Sequence, residues 1–339
     1  MGKSSLILVL GMTAIVAVIL VKLNANSKEG LSTTVNMFEQ TQARLIANSG
    51  VEIYLEKLKA DPTMLDKTFP GNQLNNGAYD IQITGPDTLV TVKSTATFMG
   101  VTHTSVVKAA ADKLPFFPVP SGMYIATNAV SGAKINGNIT VSGFDHDING
   151  NLLNNGNVLN GIGVDNNSNV TTIKNAIGGS ADIEGLGGKP SVGVVSNSTN
   201  WTEYAMDVVS NPDIILNSNT NLNQIPNLGT LSSPKVTFVN GNVRFNSNLE
   251  GCGILVVNGD LEINGNFTFR GIVIAYKEAA IKTKLNGNGK VYGAMVIAGT
   301  SVDLTISNGN FKCLYSQESL NHVAGLLKTK RFRILSWWE

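Results

Sequence analysis

Four short apolar runs at nearly even spacing constrain this chain more than anything else in it. KVTFV begins at Lys235, GILVV at Gly253, GIVIA at Gly271 and GAMVI at Gly293, so the steps are 18, 18 and 22 residues. A period near twenty marks stacked layers of chain, each burying its apolar side against the next. Other short runs keep the register: Val243 and Phe245 precede Leu261 and Ile263 by 18, and Leu249 precedes Phe267 by 18. Three strands per turn follow, so the expectation is a mainly β chain built around a parallel, right-handed β-helix.

The corners between the runs are rich in Asn-Gly, as at Asn240-Gly241, Asn258-Gly259, Asn264-Gly265 and Asn286-Gly287. Both residues tolerate positive φ, so each pair reads as an inexpensive sharp corner. If the apolar residues point inward, Arg244, Glu262, Lys282 and Asp303 point outward in one column of alternating sign, about 4.8 Å apart. Opposite charges on adjacent strands stabilise modestly. The stretch from 121 to about 198 reads as more irregular coils (YIATNAV, AKINGNITVSG, VTTIKNAI, SVGVV). A helical insertion is expected near 201–210. SQESLNHVAGLL reads as a helix which, with RFRILSWWE, makes a C-terminal cap over residues 316–339 that covers the last open coil.

The N-terminus differs. Residues 4–21 are apolar and uncharged between Lys3 and Lys22, about the length that spans a bilayer, and 1–26 are therefore expected to form a transmembrane anchor. A cleavable signal would have a shorter apolar core and a small-x-small site, which KLNANS matches poorly. Beyond it, Val35, Phe38, Leu45, Ile46, Ile53 and Leu58 recur near helical spacing, predicting a stalk helix that ends at Asp61-Pro62, with one interruption at 24–30. From Gly77 the pattern alternates (AYDIQI, LVTVKSTATF, VTHTSVV), with Met99-Gly100 as a hairpin corner. Residues 27–114 are thus expected to form a helix plus a small antiparallel sheet, PFFPVP at 115–120 a stiff linker, and 121–339 the β-helical head.

Little in the sequence points to catalysis. Net charge is +1 and charged residues are 14% of the chain, so no overall field draws in nucleic acid. His103, His146 and His322 have none of the spacings of a zinc site, and no P-loop or Gly-x-Ser-x-Gly is present. A glycosidase needs two carboxylates on one bond, whereas the best outward column alternates in sign. One stretch has the look of a ligand loop: in DHDING, Asp145, Asp147 and Asn149 alternate before Gly150, like the first half of a calcium loop. The bidentate Glu of the twelfth position is missing, that position being Gly156, and a hydrogen-bonded turn is the favoured reading of the stretch. Ca2+ is the one cofactor the residues suggest. Cys252 and Cys313 fall about three coils, roughly 14 Å, apart, beyond bridging distance, and are expected to be free thiols.

KSSLILVLGMTAIVAVILV, QARLIANSGVEIYLEKL, YDIQI and VKSTATFMGVTHTSVV together resemble the PilX N-terminal-domain family of type IV pilus biogenesis proteins, and GCGILVVNGDLEINGNFTFRGIVI with SWWE resembles a solenoid fused behind that N-terminus. The resemblance implies a minor-pilin-like component of type IV pilus assembly or of a related secretion or adhesion system. Its partners would be the inner membrane and other pilin-like subunits, with the bulk of the chain periplasmic or extracellular. Gly2 stands where prepilin peptidase expects a glycine, but Ile7 occupies the place where pilins usually carry glutamate. The expectation is a non-enzymatic, membrane-anchored protein. The alternative is an exported β-helix that binds or cleaves a polysaccharide; a groove with clustered like charges or aromatics would favour it, and the sequence shows neither.

Overall fold

In the computed structural model residues 3–86, 88–217, 220–222, 227–327 and 330–339 are described, with side chains from residue 12 onward except at 60, 62, 112–113, 220–222, 308 and 330–331. The chain is mainly β, with a long N-terminal helix and a large, mostly parallel sheet. It divides into two compact units, residues 1–112 with 332–339, and residues 113–331.

The first unit opens with α1 (Lys3–Ala60), a helix without the expected interruption at 24–30. One glycine, Gly30, costs an exposed helix about 1 kcal/mol, too little to break a helix this long. Its buried stripe is Ala43, Ile46, Ala47, Val51, Tyr54, Leu55 and Leu58, spaced three and four apart so that all lie on one face. Of the residues chosen from the sequence, Ile46 and Leu58 are buried, whereas Val35, Phe38 and Leu45 are exposed. The rest of the stripe is less legible because two alanines and a tyrosine carry three of its seven positions. It packs on β1 (Thr68–Leu74), β2 (Gly77–Thr84), β3 (Leu89–Phe98) and β4 (Val101–Lys113), an antiparallel meander, through alternate residues such as Ile81, Ile83, Val92 and Val107. Met99 and Gly100 both have positive φ, as do Asn75 and Asn76, so both hairpins turn through the left-handed pair that matches strand twist.

Among the described residues no helix is long and apolar enough to cross a membrane. The side chains of residues 1–11, which make up nearly half of the expected anchor, lie outside that description.

The second unit does not begin with a free linker. Leu114 and Phe117 are buried in it, Pro115 accepts a 3.0 Å hydrogen bond from the Tyr204 hydroxyl, and Pro118 accepts one of 2.9 Å from Asn197. The chain then forms β5 (Ser121–Ala126), β6 (Val130–Asn136), β7 (Thr140–Ser142), β8 (Asn160–Val164), α2 (Asn167–Ala176), β9 (Ile177–Gly178), β10 (Asp182–Glu184) and β11 (Val192–Val194). VTTIKNAI, expected as a coil strand, is mostly α2, whose N-cap Asn166 accepts from the Asn169 amide. After α3 (Trp201–Val208) come β12 (Ile214–Asn217), β13 (Thr220–Leu222), β14 (Gly229–Thr230), β15 (Ser233–Asn240), β16 (Val243–Phe245), β17 (Leu249–Asn258), β18 (Leu261–Ile263), β19 (Phe267–Gly287), β20 (Lys290–Gly309) and β21 (Lys312–Tyr315).

The repeat read from the sequence is real in register: Lys235, Gly253, Gly271 and Gly293 are successive parallel partners. Gly271 has φ +120°, and a Cβ added there would overlap the carbonyl oxygen of Gly253, which is why the three runs after the first start on glycine. The runs are continuously apolar because both faces are buried. Leu255, Val273 and Met295 face the common core with Phe245, Ile263 and Phe269, while Ile254, Ile272 and Val296 meet Trp201, Tyr204 and Leu320. Strands buried on both sides lose the alternation of half-buried ones.

The order of layers departs from the order of the chain. β20 pairs in parallel with β5 and β6, and β21 with β7, so the last layer lies beside the first, and β12 stands at the far end. The expected cap therefore does not cover the last layer. α4 (Gln317–Val323) packs against β17, β19 and β20, over the outer face. β22 (Lys330–Trp338) neighbours β4 in the first unit's sheet, where Glu339 meets Arg44 and Asn48 of α1.

The charge column slips by two residues. Arg244 lies beside Glu262 as expected, but Glu262 lies beside Lys284, while Lys282 lies beside Asp303. Four residues are added between Tyr276, which pairs with Asn258, and Thr283, which pairs with Leu261. A slip of two preserves which side chains face inward, so the core survives it.

Candidate ligand groove

The DHDING loop spends its polar atoms on structure. Asp147 accepts from the amides of Asn149 and Asn151 and from the Asn151 side chain at 2.8–2.9 Å, and these bonds, those from Asn151 foremost, hold its carboxyl below the usual carboxylate range. Asp145 is buried and accepts from the Gln317 amide at 2.9 Å, and Glu318 accepts from the Ile148 amide. The loop thus clasps the start of α4. Asn149 is exposed. Among the described residues no three of His, Cys, Asp and Glu stand together as a metal site.

The histidines are separate too. His146 is buried with Nδ1 at 2.8 Å from the Phe144 carbonyl, His322 Nε2 is 2.7 Å from the Leu231 carbonyl, and His103 lies in β4. Both cysteines are free and buried. Cys313 is aligned through Val291 and Phe269 with Gly251, three layers away, and faces the inner core, whereas Cys252 faces the outer one. Burial pushes the Cys313 thiol up to about 12, so it is inert at neutral pH.

The corner asparagines, read from the sequence as turn formers, do something else. Among the Asn-Gly corners, Gly241, Gly259 and Gly287 take positive φ, whereas Gly265 does not, and the asparagines themselves stay out of that region. Two of them, Asn264 and Asn286, stack their side chains from layer to layer instead, and so do other asparagines near the corners. Asn266 donates to Asn248 at 2.7 Å, Asn288 to Asn266 at 2.9 Å and Asn310 to Asn288 at 3.1 Å. A second ladder runs from Asn286 to Asn264 to Asn246 at 3.1 and 3.2 Å. In-register amide ladders of this kind satisfy side-chain groups from one layer to the next.

Beside the first ladder lies a polar groove of about 780 Å³, floored by Thr268, Lys290 and Lys312. These three are successive partners, followed by Thr140, so the two ammonium-bearing side chains rise from adjacent strands about 4.8 Å apart. Among the described residues neither has an ion-pair or side-chain hydrogen-bond partner. This is the cluster of like charge that the sequence reading did not find. The signal was present: Thr268, Lys290 and Lys312 recur at 22, the period of the later apolar runs, but at polar positions, where no core imposes the period. No aromatic residue lines the groove.

No protein-family model matches the chain, and no curated protein matches it. Among solved structures it is similar to the competence-associated pilin ComZ from Thermus thermophilus, at 11% identity over 88% of this chain and 97% of that one, with a TM-score of 0.23, a likeness too slight to carry an argument.

Proposed function

We propose that the chain is a non-enzymatic, pilin-like component of a type IV pilus or a related envelope machine, held in the inner membrane by residues 4–21, with the second unit exported. In this reading the stacked layers of residues 121–315 are the coils of a parallel β-helix, the head that meets partners outside the membrane.

The observation that carries it is the division of α1. From Ala43 to Leu58 the helix buries a stripe against the sheet, while Ile15, Val16, Ile19, Leu20, Val21 and Leu23 are each at least half exposed. An apolar surface this continuous on a soluble monomer is costly and marks a membrane or protein contact. At roughly 25 cal/mol per Å² of apolar area covered, a bilayer or a bundle of similar helices would stabilise it strongly.

The test is affinity purification of the full chain from membranes, followed by N-terminal sequencing. Recovery in the membrane fraction with other pilin-like proteins supports the proposal; a soluble protein beginning near Ser27 overturns it. The alternative of an exported polysaccharide-binding β-helix draws support from the lysine groove and differs in expecting no pilin-like partners.

A further inference from the structure

We infer that the groove beside the first asparagine ladder is a binding site for a sugar acid, one carboxylate lying between Lys290 and Lys312 and the sugar hydroxyls on the amide rungs of Asn266, Asn288 and Asn310. This site does not depend on how the chain is anchored.

The first observation is a charge arrangement that the rest of the stack avoids. Arg244 bonds Glu262 at 2.7 Å, Lys277 reaches Asp260 at 3.3 Å, Lys189 bonds Asp182 and Glu184, and Lys282 lies beside Asp303. Among the described residues, only at Lys290 and Lys312 do these layers set two like charges directly opposite, an arrangement that destabilises neighbouring strands. A bound anion offsets that cost, because each ammonium donates to it in a charge-assisted hydrogen bond.

The second observation is the groove itself and the chemistry of its wall. Each rung amide has two N–H donors and two acceptor lone pairs. The ladder uses one donor on each of Asn266, Asn288 and Asn310, and one acceptor on each of Asn266 and Asn288. A spare donor and a spare acceptor therefore sit side by side on the rungs. Hydroxyl groups, which both donate and accept, satisfy such a pair. A bare oxyanion, which only accepts, leaves the amide oxygens facing lone pairs. With no aromatic wall there is no stacking platform for nucleobases, which single-strand binders use.

The column also limits the charge. Glu250 is the strand partner of Thr268, and Asp182 that of Thr140. A carboxylate thus stands beyond each end of the column Thr268–Lys290–Lys312–Thr140, which confines negative charge to its two middle rungs. The site suits one acidic unit rather than a run of them.

Saturation-transfer NMR titrations of the full-length chain in detergent would use methyl glucuronide, methyl glucoside and acetate as probes. The glucuronide should bind, with the glucoside and acetate each at least about tenfold weaker, since each lacks half of the recognition. Lys290→Gln and Lys312→Gln should each weaken the glucuronide about tenfold, with no change for the control Lys284→Gln in the neighbouring column. Absence of saturation transfer to the glucuronide, equal binding of acetate, or variants that bind as the parent would each overturn the assignment.

Discussion

Two outward columns of the same layers are built on the same amide scaffold and treat charge in opposite ways. Beside the ladder Asn246–Asn264–Asn286, the column Arg244–Glu262–Lys284 alternates in sign, and its carboxylate accepts from Arg244 at 2.7 Å and from Asn264 at 3.1 Å. Beside Asn248–Asn266–Asn288–Asn310, the column Thr268–Lys290–Lys312 repeats one sign and leaves it unpaired within the described residues. The fold demands neither arrangement, because both columns sit on the solvent side of strands whose inner residues are equally buried. The first column thus satisfies its charges within the stack, whereas the second leaves two ammonium groups facing solvent.

The largest effect should come from breaking the register that both columns share. Gly271→Val forces a β-branched residue into φ +120° and a Cβ into the Gly253 carbonyl, and is expected to cost more than about 4 kcal/mol or to prevent folding. Gly178→Val, where nothing lies within 4 Å, should be close to neutral. Circular dichroism melts of the two would check this. Next come the scaffolds. Asn288→Ala and Asn264→Ala each remove a rung that both donates and accepts, so each should lose about 1–2 kcal/mol in urea unfolding. A much smaller loss at Asn288 would mean that the two ladders are not equivalent.

The layers were legible because a period of 18 to 22 is imposed by inward residues that cannot move without exposing core. The outward columns were less so. The residues added before Thr283 leave the inward parity intact while moving Lys284, not Lys282, beside Glu262. The placement of β5–β7 beside β20 and β21 joins residues such as Ile125 and Ile297, far apart in sequence, and no local pattern encodes it. The stripe on α1 was legible only at Ile46 and Leu58 because Ala43 and Ala47 are small, and helical periodicity is read most easily from large side chains. The lysine pair is legible only by following the 22-residue step through polar positions, whereas the carboxylates of the more conspicuous DHDING loop hold a turn and the start of α4.

Converting one column into the likeness of the other gives a smaller effect. Lys312→Glu sets an opposite charge beside Lys290 and should raise stability by about 0.5 kcal/mol at low salt, a gain that disappears in concentrated salt. It should also abolish glucuronide binding, so stability and binding move in opposite directions. An unchanged or lowered stability at low salt would show that the like pair carries no strain.

The smallest effect tests whether the first column is held by its carboxylate. The hydrogen bond from Arg244 is the main cause that keeps the Glu262 carboxyl below the usual range, burial acting against it. A carboxyl depressed in the folded state contributes stability that is complete above its unfolded pKa, about 4.3, and is lost as pH falls through the folded value. Glu262→Gln should therefore melt slightly below the parent at neutral pH, by less than the loss at Asn264, and the gap should close as the pH drops below about 4. The two middle rungs of the second column carry no carboxylate, so the difference between the parent and Lys290→Gln should stay flat over the same range. If the Glu262→Gln gap persists into acid, the side chain is held by packing rather than by charge, and the contrast between the columns would then rest on the lysines alone.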